Sequence, residues 1–445
     1  NEKMNIWAAS GELPDVMGAV DTVGNGRYYQ WIDDGVVRAL PDDLTPYPNV
    51  ARYTSVSDVK GASVDGKTYL LPRLTYEDAT WWTMDRGLSV RKDWMEKLGI
   101  DDPQTPEEFI DMCVAFATQD PDGNGKDDTM GLTIASVGFL WNSFNGFGYV
   151  DQNWIKMPDG TYQLGNTTRD ALELFKFIRR LYQEGGLDLD FATTDTVAAR
   201  ANFGSGRAGV LMKQVSPKHW NATKEEWDKL QPDKNFTDYV KILNPFPVRG
   251  KDYYKFIVKS FWSETYIEGG VDDAKMDRIL QLYDYMYSDE GILINMFGFE
   301  GEDYELTDSG VNLLKTNDEG KPLTASDLYP IMQGGFSYLA AWNGDLVQYL
   351  NPAIPQDIRD ITTEVRDYRL KNWKTPPVDW AVQAINVPEK QEMSISFPAD
   401  WTGFIVDDSG MSEEELYQDM LKSWEAGGYN ATSAAITAVA KTMGK

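Results

Sequence analysis

The residues best spaced for chemistry are Asp120-Pro121-Asp122-Gly123-Asn124-Gly125-Lys126-Asp127-Asp128, which set oxygen donors at alternate positions around a glycine. Calcium is bound by about six to eight oxygens, and short loops supply them from the first, third, fifth and ninth positions, with a carbonyl at the seventh and a glycine at the sixth. Those positions are Asp120, Asp122, Asn124, Asp128, the Lys126 carbonyl and Gly125. The twelfth, where a bidentate Glu would complete an EF-hand, is Gly131, so a further ligand has to come from Thr129, water or elsewhere in the chain. The competing reading is a solvated turn, since Asp, Asn and Gly favour turns for their own reasons. As a metal loop the pattern expects a structural Ca²⁺ clip, with no open position for catalysis.

Other chemistries are limited by composition. Cys113 is the only cysteine and His219 the only histidine, which excludes an intrachain disulfide, a Cys-based zinc site and a His-rich metal centre. Cys113 sits in the apolar run Phe109–Ala117 and reads as a buried, inert thiol. No Gly-x-Ser-x-Gly, P-loop or His-Glu-x-x-His pattern occurs. Seventy acidic against 42 basic residues give a net charge of -28, a surface that repels nucleic acid and anionic lipid. It also disfavours an anionic ligand unless the site carries its own basic cluster. The 15 Trp, 23 Tyr and 18 Phe exceed what packing alone needs, and rings outside a core are recognition surfaces. No apolar run reaches the length of about 18 residues that a membrane span needs. The chain opens on Asn1 without a signal peptide and reads as a processed form.

A chain of 445 residues exceeds one ordinary core, so two lobes are expected. Short strands alternate with helices of ten to fifteen residues, which predicts an α/β architecture. Helices are expected over 3–10, 28–34, 93–98, 168–184, 273–287 and 412–426, strands at 68–73 and 87–91, and a turn leading into a strand within 203–212. Thr105-Pro106-Glu107-Glu108 predicts a helix start, with Thr105 as N-cap and the Glu108 carboxylate returning to the Thr105 amide. Trp31 and Trp94 fall on apolar helical faces and read as core.

Several segments, in order, resemble the extracellular solute-binding proteins of bacterial ABC importers, the sugar-binding family whose larger lipoprotein members feed oligosaccharide transporters. These are Ala9–Val16, Tyr69–Arg73, Val90–Gly99, Thr105–Phe109 with the Asp120 loop, Phe203–Gly209 and Phe297–Tyr304. The resemblance implies an α/β, two-lobed periplasmic-binding-protein type II fold with an interlobe ligand cleft. Lobe 1 is expected at 1–92 plus 256–330 and lobe 2, carrying the calcium loop, at 93–255 plus 331–445. Family members open with a strand, a helix and a second strand that have no evident counterpart here, so those elements have been removed, or are supplied by a separate piece, or the start of the chain aligns differently. The implied function is the substrate-binding component of an ABC importer. It would be a cell-surface lipoprotein whose anchor lies outside this chain, a monomer that meets membrane permease subunits and binds a neutral oligosaccharide.

A sugar offers a polar rim and two weakly apolar faces, so its binder needs flat rings and hydroxyl-matching side chains. The best candidate is the loop Arg73–Trp82, with Arg73, Glu77, Asp78, Trp81 and Trp82. If this segment is extended, its adjacent Trp residues face opposite ways and only one stacks on ligand. Arg73 with Glu77 or Asp78 reads equally as a structural ion pair. Trp141 and Asn142 form a second candidate, and Trp220, Trp262, Tyr304 and Trp342 (with Asn343) weaker ones, each competing with plain core packing. Hinges are expected near 90–93, 255–258 and 330. The rival classes are a glycoside hydrolase using Glu77 with Asp78 or Glu300 with Glu302, and a polysaccharide-adhesion module. Carboxylates so close in sequence are poorly placed to flank a scissile bond from opposite sides.

Overall fold

The computed structural model describes residues 2–445 apart from 21, 24, 25, 77, 245, 247, 249, 308, 309, 333–338 and 340–347. Two separate sheets organise it. The first has the order β1-β9-β2, with β1 (Val16–Val20), β9 (Phe261–Ile267) and β2 (Leu71–Leu74) all antiparallel. Alternation along β9 sends Ile267 to one face and Tyr266 to the other. On the Ile267 face the helix Asp273–Met286 buries Met276, Leu280, Tyr283 and Met286. On the Tyr266 face the helix Gly26–Asp33 seats Tyr28 and Trp31 against the Tyr266 ring, both at 6.0 Å.

The second sheet has the order β4-β7-β3-β8, from β4 (Met130–Ile134), β7 (Ala208–Lys213), β3 (Gly87–Arg91) and β8 (Val240–Leu243). β4 and β7 run parallel, while β3 is antiparallel to both of its neighbours. Its inner strands are buried along their whole length, as a sheet covered on both faces requires. Helices Pro106–Thr118 and Arg169–Gln183 cover one face; Thr196–Gly204 and Pro217–Leu230 cover the other. The C-terminal helices Phe397–Val406, Glu413–Ala426 and Tyr429–Thr442 extend the first of these cores. Within it Trp401 stacks on Phe175 at 3.9 Å and 7°. Two hairpins complete the strands, β5 (Trp154–Lys156) with β6 (Tyr162–Leu164) and β10 (Tyr304–Thr307) with β11 (Gly310–Leu313).

Two local expectations change. Val90 pairs with Val210 and Lys241, so the second sheet begins at Gly87, ahead of the expected 92/93 boundary and hinge. The chain therefore passes between sheets over 75–86. The helix Pro106–Thr118 is capped by Thr105, whose hydroxyl accepts from the Glu108 amide at 3.2 Å, but the Glu108 carboxylate bonds the Gln104 amide at 2.7 Å and not that of Thr105. At Glu413–Ala426 the box closes fully, with the Ser412 amide donating to Glu415 at 2.8 Å.

One buried guanidinium ties the passages together. Arg369, on the helix Gln356–Asn372, is fully buried and donates to the carbonyls of Thr83 at 2.8 Å and Arg86 at 2.6 Å. Its Nε reaches Asn244 Oδ1 at 3.2 Å, just after β8. Burial lowers its pKa to about 9. Replacing it with an apolar residue strands two buried acceptors, each costing about 1–3 kcal/mol. Arg369→Leu is expected to lower unfolding free energy by about 3 kcal/mol in a urea titration; an unchanged midpoint would show that water can replace the guanidinium.

Candidate functional site

Aromatic side chains gather where the chain leaves and re-enters the first sheet. Leu74 at the end of β2 pairs with Phe261 at the start of β9, so Thr75 and Trp262 emerge at the same end. Tyr76, Trp82 and Phe256 form a separate apolar cluster there, with Ala79, Trp81 and Val258 against it. Residues 79–85 form a 3-10 helix, not the extended segment expected, and Asp78 caps it by accepting from the Thr80 amide at 2.8 Å. With about three residues per turn, consecutive side chains diverge. Trp82 turns inward, 3% exposed and edge-on to Tyr76 at 5.2 Å. Trp81 stays half-exposed, edge-on to Tyr349 at 5.7 Å. The Arg366 guanidinium lies 4.5 Å from the Trp81 ring and 4.3 Å from that of Tyr349. Trp262 is 61% exposed beside Trp82 at 6.2 Å.

The second sheet presents polar groups. In α/β sheets ligands bind beyond the carboxyl ends of parallel strands, here Ile134 and Lys213. The chain leads from β4 to the short helix Phe139–Asn142, and from β7 to Ser216 and the helix Pro217–Leu230. Because β3 is antiparallel, its first residue, Gly87, lies opposite Lys213 and delivers Asp85 and Arg86 to this end. The Arg86 guanidinium sits between the Phe139 ring at 4.4 Å and the Phe256 ring at 3.8 Å, and its Nε donates to Asn142 Oδ1. The charges of two buried carboxyls act on it. Burial pushes that of Asp85 up to about 6, against the pull of Arg86, Ser216 and Lys213. Burial does the same to Asp151, against the Gln152 amide, Arg86 and Asn142. Among the described residues, Asp85 Oδ1 and Asp151 Oδ2 find no hydrogen-bond partner. Asp151, Asn142, Trp141, Tyr149, Tyr254 and Phe256 line a small cavity of about 10 Å³.

His219 is held neutral. Burial, then Lys213, Lys218, Arg200 and Arg86, lower its pKa to about 3, and its Nδ1 lies 2.8 Å from Ser216 Oγ. Burial first, and the neighbouring Arg200 next, lower that of Lys213 to about 8.

The expected site residues divide accordingly. Trp81, Trp82 and Trp262 come together, and Trp141 and Asn142 join through Arg86 and the cavity. Arg73 is buried in β2, close enough to Lys218 to help burial lower its pKa. Asp78 is an exposed helix cap. Trp220 is not a ligand platform: it is fully buried with Thr223 and Trp227 on the inner face of its helix, donating to Ser89 Oγ at 3.1 Å. Tyr304 is also sealed, 2% exposed and packed on Phe297 at 6.1 Å beside the β10–β11 hairpin. Glu300 and Glu302 are exposed. Glu77, Trp342 and Asn343 lie outside the described residues. Sequence reasoning missed Asp85, Arg86 and Asp151; the only signal was two charged residues directly before an apolar strand.

The Asp120 loop is wound tightly on itself. Asp120 Oδ1 accepts from the amides of Gly123 and Asn124, both at 3.0 Å, and Oδ2 from that of Gly125 at 3.1 Å. Asn124 Nδ2 donates to Asp122 at 2.8 Å and Asp128 at 3.0 Å, drawing those carboxylates toward one point. Lys97 donates to the carbonyls of Asp120 and Pro121 at 3.0 and 2.9 Å. Among the described residues no three His, Cys, Asp or Glu side chains already form a metal-holding group.

No family model matches the chain. It is 25% identical to Lipoprotein LipO of Bacillus subtilis (strain 168) over 97% of this chain and 82% of that protein. It is 27% identical to the fructooligosaccharide ABC transporter substrate-binding protein FusA of Streptococcus pneumoniae, over 42% of this chain and 37% of that protein. The S. pneumoniae FusA structure in complex with kestose superposes with a TM-score of 0.73 at 18% identity, covering 99% of this chain and 90% of the other. An EF-hand mutant of FusA gives 0.70 at 18%, over 99% and 90%. A calcium-free structure of the alginate-binding protein AlgQ2 gives 0.70 at 15%, over 98% and 88%. The resemblance read from the sequence thus holds in its relatives and in its two-lobed fold.

The two indoles differ in what they support. Trp82→Ala is expected to cost about 3–5 kcal/mol of stability as a buried large-to-small change, whereas exposed Trp262→Ala should stay within about 0.5 kcal/mol. Thermal denaturation of both separates them; equal losses would mean that Trp262 is a packing residue.

Proposed function

We infer that a chain with the relatives and two-lobed fold of the extracellular solute-binding proteins is itself the substrate-binding component of an ABC importer, and that it closes on an oligosaccharide. The observation that carries this reading is the pairing of surfaces. Half-exposed Trp81 and exposed Trp262 stand at the edge of the first sheet, and Arg86, Asn142 and two buried carboxylates with unpartnered oxygens stand at the carboxyl ends of the second. Rings take the apolar faces of a sugar, and the polar groups take its hydroxyls. A net charge of -28 and buried carboxylates in the site both favour a neutral sugar. The first lobe would comprise roughly 1–74 and 261–330, the second roughly 87–243 and 348–445, so that the segments 75–86 and 244–260 carry the hinge. The protein acts as a monomer on the outer cell surface, as a lipoprotein like the relative LipO, and delivers its ligand to membrane permease subunits. The named relatives are a lipoprotein and binding proteins, not hydrolases, which supports a binder without catalysis.

The Asp120 loop serves this reading as a structural Ca²⁺ clip. Its ligands would be Asp120, Asp122, Asn124, the Lys126 carbonyl and Asp128, hard oxygens of the type this ion takes. The ion would neutralise carboxylates that now share one amide.

Isothermal titration with neutral oligosaccharides, run with a reducing-sugar assay, is expected to show saturable binding without sugar release; release of new reducing ends would make the protein a hydrolase. Small-angle scattering should show a smaller radius of gyration at saturation, because ligand contacts both lobes only when they close; an unchanged radius would contradict closure. Millimolar Ca²⁺ should raise the melting temperature, and Asp122→Ala should abolish the rise, whereas an equal response of both proteins would leave the loop a plain turn.

A further inference from the structure

Polar atoms left without partners in a buried site mark where a ligand's own polar atoms belong, because an unpaired buried group costs free energy until it is satisfied. Among the described residues, Asp85 and Asp151 are the acidic side chains of this kind, and both lie at the carboxyl ends of the second sheet, 6% and 8% exposed. They arrive from separate places in the chain, Asp85 from the end of the 3-10 helix before β3 and Asp151 from the loop before β5. Arg86 is fixed by Asn142 and by the faces of Phe139 and Phe256, Asp151 lines the same cavity as Asn142 and Phe256, and the Arg86 charge acts on both carboxyls. Resting on the reading above, we propose that Asp85 and Asp151, grouped around Arg86 and Asn142, form the subsite that accepts hydroxyl hydrogens from one unit of the bound oligosaccharide, and so select a neutral sugar with free hydroxyls over an acid sugar. Arg86 supplies the complementary donors and limits the repulsion between the two carboxylates. An acid sugar would bring a third negative charge to the same buried point, which disfavours it.

The subsite has a pH signature. Around Asp85 stand Arg86, Lys213, Ser216 and Tyr76; around Asp151 stand Arg86, Asn142, the Gln152 amide and Tyr149. Burial outweighs these partners and raises both carboxyls to about 6. Ligand favours the ionised acceptors, so affinity is full above that value and declines as acid protonates them. Stability moves the opposite way. A carboxyl with a raised folded-state pKa favours the folded protein below that pKa and opposes it above. Removing either charge therefore leaves the ligand-free protein as stable, or more so, at neutral pH.

The test uses the whole chain with nystose, maltotetraose, cellotetraose, xylotetraose and mannotetraose, and with the tetramer of galacturonic acid beside its methyl ester. Titration is made at about pH 7.5 and about pH 5, on either side of the two pKa values. For the neutral sugar that binds best, Asp85→Asn and Asp151→Asn are each expected to weaken binding by about tenfold or more without lowering the ligand-free melting temperature. The unmodified protein is expected to lose affinity at the lower pH and to disfavour the acid tetramer against its ester. Undiminished affinity in both variants overturns the subsite, as does a pH-independent affinity or preference for the acid tetramer, while leaving the binding-protein reading intact. If melting temperature falls and affinity holds, the two carboxylates are structural. Failure of every sugar to bind overturns the subsite and the proposed function together.

Discussion

The arrangement depends on how two separately built sheets are held by the strands of chain that run between them. Arg369 is the fastener: from one helix it binds the carbonyls of Thr83 and Arg86 on one passage and Asn244 at the start of the other. A buried cation of this kind is not a cheap source of stability, since desolvation offsets most of its attraction. What it supplies is position. Arg369 holds the last turn of the 3-10 helix Ala79–Asp85 through the Thr83 carbonyl and the residue after it through that of Arg86, the stretch that carries Trp82, Asp85 and Arg86. Tyr253 and Lys374 pair nearby, Lys374 N with Tyr253 O at 2.7 Å, so the second passage is also anchored to the end of the helix Gln356–Asn372.

Each sheet brings what its own geometry allows. The antiparallel first sheet ends in a β2–β9 pair that throws rings outward, because alternation puts Trp262 on the side opposite its buried neighbours Phe261 and Ser263. In the second sheet the two parallel strands end together, leaving loops and a helix start where polar side chains converge. The carboxylates that converge there carry a cost, since burial raises the pKa of both Asp85 and Asp151. Functional sites commonly store such local cost, and the well-filled cores on both faces of each sheet are what allow it here.

Local signals were readable in the sequence. The Thr105-Pro106 start, the helix over 412–426 and the core positions of Trp31 and Trp94 all follow from neighbours within one or two turns. The failures are non-local. Nothing near Val90 says that it will lie between Val210 and Lys241, so the boundary was set too late. Asp85 and Arg86 look like a turn until Phe139, Asn142, Asp151 and Phe256 arrive from later segments. Trp220 was the avoidable error, because Trp220, Thr223 and Trp227 already trace one helical face. Trp81 and Trp82 diverge, one half-exposed and one buried, through 3-10 geometry and not through the alternation of an extended strand.

A crystal structure of the protein with its bound oligosaccharide tests the central claim most directly. The account predicts a sugar ring lying flat against Trp262 or Trp81, with hydroxyls within hydrogen-bond distance of Asp85 or Asp151. Density for the sugar on an outer surface, with those indoles and carboxylates as they are in the empty protein, would contradict it.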